Sequence, residues 1–101
     1  MSELRKPINL VATGERAGSA TAVQLPSVAG SMVLIKAVAS NAGNVYLGKS
    51  GVTVVDGTTD ATSGLELTPG DSTGWIPVDN LNNFYIICNN AGDDITYMVL
   101  G

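Results

Sequence analysis

Met32-Val33-Leu34-Ile35-Lys36-Ala37-Val38-Ala39-Ser40 is the most apolar stretch of this 101-residue chain, and Asn41-Ala42-Gly43 closes it. Its residues are aliphatic and β-branched, and no i, i+3, i+4, i+7 stripe with caps continues on either side. It reads as an extended strand, and its surroundings repeat the pattern. Working outward, short apolar segments are expected at Ile8–Thr13, Thr21–Leu25, Asn44–Gly48, Val52–Val55, Leu65–Leu67, Trp75–Val78, Phe84–Asn89 and Ile95–Leu100. Clusters of Gly, Asn, Asp, Ser and Thr separate them, and Pro26 ends the second because proline has no N–H to give to a ladder. Parallel crossover units need helices between strands, and there is no room for them here. The expected fold is all-β: a small antiparallel β-sandwich or barrel of about eight short strands.

The length suits one small domain. Residues 1–7 offer only Met1 and Leu4 for burial and carry Arg5 and Lys6 beside Pro7, so they read as an extended N-terminal arm ahead of a single β domain, 8–101. Charged residues are 14% of the chain against about 25% in an average domain, while hydrophobic residues are 45%, which excludes a disordered polymer. A net charge of −4 with no long basic run argues against nucleic acid as a partner. No apolar run approaches the roughly 20 residues of a membrane span, and MSELRKPINLV lacks the apolar core and cleavage site of a secretory signal. No membrane partner is expected.

Chemistry is sparse. With no histidine, a serine or cysteine nucleophile lacks its usual base and a metal its commonest ligand. The single cysteine, Cys88, lies in an apolar run and reads as an inert core residue. Asp93-Asp94 lacks the alternating spacing of a calcium loop and reads as a solvated turn; the stretch 56–64 reads as a surface excursion. A sugar-binding sandwich needs exposed coplanar rings, and Tyr46, Trp75, Phe84, Tyr85 and Tyr97 are more readily placed in core and interfaces. No enzyme activity, metal or cofactor is expected. A chain so rich in small and apolar residues fits a subunit that buries further surface against other proteins.

Two turn motifs stand out. Thr68-Pro69-Gly70-Asp71 has the type II pattern, with proline setting one φ and glycine taking the positive one. Asn41-Ala42-Gly43 and Asn90-Ala91-Gly92 each follow an apolar strand and precede a tyrosine-bearing strand that ends in Leu-Gly. Both read as tight hairpins with glycine at positive φ, and the echo fits either shared turn chemistry or a duplication.

Val45-Tyr46-Leu47-Gly48, Gly51-Val52-Thr53, Gly64-Leu65-Glu66-Leu67, Pro69-Gly70-Asp71 and Asn80-Leu81-Asn82-Asn83-Phe84-Tyr85-Ile86 follow one another in an order that resembles small structural proteins of tailed bacteriophages. The resemblance covers residues 32–101 and rests on turn and strand grammar rather than on chemistry. It implies a virion protein: a capsid decoration (cement) protein that binds the major capsid protein on the outside of the head, as a homotrimer. The alternative it implies is a trimeric head-fibre or tail-associated module, with glycan binding at its tip. Attachment is expected through the arm. Arg5 and Lys6 would steer the approach, Pro7 would hold the backbone extended, and Ile8 and Leu10 would add to an open sheet edge.

Overall fold

The computed structural model describes residues 8–101, which form a two-sheet antiparallel β-sandwich. The strands are β1 (Leu10–Ala17), β2 (Val23–Gln24), β3 (Met32–Ala37), β4 (Val45–Gly48), β5 (Leu65–Leu67), β6 (Ser72–Pro77), β7 (Tyr85–Cys88) and β8 (Asp94–Leu100). A front sheet runs β1-β8-β3-β6 and a back sheet runs β2-β7-β4-β5. That order is the eight-stranded jelly roll, two Greek keys folded into facing sheets.

Strand alternation explains the core. On β3, Val33, Ile35 and Ala37 point between the sheets and have no exposed surface, as do Ile95 and Val99 on β8. The back sheet answers with Val45 and Leu47 on β4, Leu67 on β5, and Ile86 and Cys88 on β7. Burial pushes the Cys88 thiol up from its usual range, the nearby negative charge of Asp93 adds to this, and the sulfur is an inert core atom as expected. Leu81, in a single 3-10 turn (Leu81–Asn83), plugs one end of the core. Asn80 holds that turn by accepting from the backbone N–H of Asn82 at 2.9 Å and of Val28 at 3.0 Å.

The connections β1–β2, β3–β4, β5–β6 and β7–β8 all cross from one sheet to the other and gather at the opposite end. The Asn-Ala-Gly motifs are therefore corners between sheets, not hairpins. Gly92 has φ +93°, but Gly43 has no positive φ. A Cβ at Gly43 would lie 2.5 Å from Nδ2 of Asn90, so glycine is needed there for close approach of the two corners. Asn41 mimics a strand partner for Asp94, donating to its carbonyl at 2.8 Å and accepting from its N–H at 2.9 Å. Asp93 is not a solvated residue. It is buried, and its two carboxylate oxygens accept from the backbone N–H groups of Ala42 (3.1 Å) and Gly43 (2.9 Å). The echo in the sequence marks two corners that pack on each other.

The turn at Thr68–Asp71 has the expected geometry, with Gly70 at φ +91° and the Asp71 N–H donating to the Thr68 carbonyl at 2.8 Å. The Asp71 carboxylate accepts from the hydroxyl and N–H of Thr68, and these bonds hold its pKa below the usual range. Two other segments differ from expectation. β1 runs on through Gly14-Glu15-Arg16-Ala17, because pairing with β8 carries it past a glycine and two charges that interrupt any apolar pattern. Val52–Val55 is not a strand; only Thr53 forms an isolated bridge, to Ser63. Val52 and Val54 turn inward onto the back sheet instead, while Val55 is exposed.

Ile35→Ala and Ile86→Ala should each lose about 2–5 kcal/mol of stability in denaturant unfolding, the cost of a core cavity. Asp93→Ala, which strands two N–H groups between the corners, should cost about 1–3 kcal/mol although it removes no apolar surface. A midpoint unchanged by Asp93→Ala would mean that the corners pack without the carboxylate.

Candidate functional site

Each sheet has an outer face as well as an inner one, and the two outer faces differ. On the back sheet, Tyr46, Tyr85 and Ile87 point away from the main core. The 49–64 connection, the only one that stays within a sheet, folds over them with Val52 and Val54. Tyr46 is left 2% exposed and Ile87 9%. The protein covers this face with its own chain.

The front sheet has no such cover among the described residues. Its register sets the outward side chains in rows. Leu10, Leu100, Met32 and Pro77 form the first, and Thr13, Met98, Leu34 and Trp75 the second. Glu15, Thr96, Lys36 and Ser72 form the third. The first two rows are dominated by apolar side chains and the third is polar. Leu10 is 60% exposed, Trp75 44% and Met98 36%. An open depression of about 540 Å³ lies over Leu34 and Met98, with Glu15 and Lys36 among its lining residues. A contiguous apolar sheet face of this kind calls for an explanation, whereas isolated apolar residues at a surface need none.

Charge is separated across the polar row. Lys36 on β3 is exposed. On the β1 side, Glu15 stands beside Asp94: a hydrogen bond between the two carboxyls, and then their mutual repulsion, push the Glu15 pKa above the usual glutamate range. Two acids therefore lie on one flank of the face and a lysine on the other.

The residues expected to form an attaching arm fare differently. Arg5, Lys6 and Pro7 lie outside the described residues. Ile8 is exposed; Asn9 exchanges two 2.9 Å hydrogen bonds with Gly101, and Leu10 pairs with Leu100. From Asn9 onward the chain is thus already paired within its own sheet. Leu10 turns its side chain to the bare face, and β1, as an edge strand of the front sheet, keeps its other backbone edge outside any ladder among the described residues. The residues that build the face, Leu34, Trp75, Met98, Glu15 and Lys36, were not singled out as a site from the sequence. The signal was present, because Met32–Ala37 and Ile95–Leu100 carry apolar residues at both odd and even positions, and one parity suffices for a core.

Among the described residues no group of three or more acidic or cysteine side chains is placed to hold a metal ion, and Trp75 is the only exposed aromatic ring. No helix is long and apolar enough to cross a membrane. No protein-family model, curated protein or solved structure matches the chain.

Because the folded state holds the Glu15 proton more tightly than the unfolded chain, the charged form destabilises the fold once pH rises above the raised pKa. Glu15→Gln should therefore raise the melting temperature at pH 7 in dilute protein. The gain should shrink as pH falls through the raised pKa toward the ordinary value of 4.5. Thermal melts of both proteins across that range check the sign.

Proposed function

We propose that this protein is a structural, non-catalytic subunit of a tailed-phage virion. In this reading it is a capsid decoration protein that binds the major capsid protein on the outer surface of the head and reinforces the shell. The observation that carries the reading is the bare apolar face of the front sheet, on a jelly roll whose other sheet covers itself: it supports a subunit that assembles with other protein chains, whether copies of itself or the shell. Jelly rolls are common in viral shells, but the fold also hosts unrelated functions, so it supports the reading only together with that face and with the resemblance of residues 32–101 to phage structural proteins. A shell of repeated weak interfaces, under pressure from packaged DNA, is strengthened by any small rigid subunit that adds buried area across its seams. A net charge of −4 suits a part on the outside of the particle, away from DNA. The arm, Arg5-Lys6-Pro7, remains the proposed point of first approach to the capsid.

The test is direct. Purified protein added to undecorated heads should bind saturably and raise the temperature at which the shells open. It should also occur in virions at a copy number on the scale of the capsid protein. Failure to bind heads, with only a low copy number per virion, would transfer the protein to a head fibre or the tail. Deleting residues 2–7 separates the two surfaces: unchanged saturation of the heads by the truncated protein would remove the arm from the attachment.

A further inference from the structure

We propose that the bare outer face of the front sheet is the surface through which two copies of this chain pair, about a two-fold axis parallel to β8 and β3 and lying between them. A two-fold contact requires a self-complementary patch, and the rows of this face meet that requirement. Rotation about such an axis keeps each row at its own height and exchanges β8 with β3 and β1 with β6. Met98 of one copy then covers Leu34 of the other, Leu100 covers Met32, and Trp75 lies over Thr13. Both rows are thereby buried on apolar partners, save where Trp75 covers Thr13.

The polar row decides the occupant and the orientation. Lys36 of the second copy comes down over Thr96 of the first. There it is flanked by Glu15, one strand away at about 4.8 Å, and by Asp94, two residues along β8 at about 6.8 Å. The lysine thus enters between the two carboxyls that repel each other in the single chain, and the symmetry makes this contact twice. A two-fold axis perpendicular to the strands would also cover apolar with apolar, but it would leave Glu15 and Lys36 unpaired at opposite rims. Packed sheets in sandwiches lie within about 30° of alignment, which keeps these rows in contact.

The size of the face sets the strength. Four strands and three rows give a footprint of about 400 Å² per copy, or about 1,000 Å² of total accessible surface with its rim. That is the lower end for specific interfaces, so the dimer should be weak and concentration-dependent. A two-fold contact departs from the trimer implied by the resemblance to phage proteins. It does not depend on capsid binding.

Sedimentation equilibrium of the full chain, without capsids, tests the pairing. The wild type should shift from monomer toward dimer over the micromolar range. Lys36→Glu sets three acids together twice over and should weaken the dimer at least about tenfold. Glu15→Lys should also weaken it, and combining Glu15→Lys with Lys36→Glu should recover much of the loss. These side chains are exposed, and circular dichroism establishes that each variant is folded. Met98→Glu, in the apolar row, should abolish pairing. A wild type that stays monomeric at high micromolar concentration, or one that forms a trimer, would overturn the proposal. So would a dimer indifferent to Met98→Glu and Lys36→Glu. Monomeric protein whose binding to heads is lost in Met98→Glu would assign the face to the capsid instead.

Discussion

The buried carboxylate of Asp93 is the interaction on which the arrangement of the sandwich depends. It gathers the N–H groups of Ala42 and Gly43 while Asn41 pairs with the backbone of Asp94, so that two corners crossing between the sheets become one unit. Those corners lead from β3 to β4 and from β7 to β8, which are the two inner strands of each sheet. Backbone polar groups in such a corner lie outside any ladder and must find partners or water. A carboxylate between them satisfies two donors at once, and a charged acceptor makes each bond stronger than a neutral one would.

With the inner strands placed, the remaining chain solves one problem twice, with different results. Each sheet presents apolar side chains on both faces. On the back sheet the long 49–64 connection returns across the outer face, and Val52 and Val54 close over Tyr46 and Ile87. On the front sheet every connection leaves for the other layer, so among the described residues no loop returns over Leu34 and Met98. The bare face is therefore a consequence of jelly-roll connectivity acting on strands that are apolar on both sides. The edges of the front sheet show the reverse care. β6 carries Pro77 and a register shift opposite β3, and β1 carries a bulge at Val11 with Glu15 and Arg16 further along, all features that discourage edge-to-edge addition. In the proposed pairing, association is left to the face. This bears on the proposed virion role, in which a small subunit must attach without polymerising through its strands.

Much of this was legible in the residues alone. The all-β class, the alternation that buries Val33, Ile35 and Ala37 on one strand and Ile86 and Cys88 on another, and the Pro69-Gly70 turn follow from alternation and turn chemistry, which act over a few neighbouring residues. Local pattern also showed that the two Asn-Ala-Gly motifs share a role. What it could not show was the partner. A turn that joins two strands of one sheet and a corner that joins two sheets use the same residues, and only the long-range pairing of β3 with β8 and β4 with β7 distinguishes them. Asp93 reads as solvated for the same reason, since its donors lie about fifty positions earlier in the chain. Val52–Val55 has the composition of a strand, and the need to cover Tyr46 and Ile87 overrode that propensity. Strand composition and face alternation were thus properties of the sequence by itself. Which apolar face the chain covers, and which it leaves bare among the described residues, was decided only by tertiary structure, because covering a face depends on where a distant loop returns.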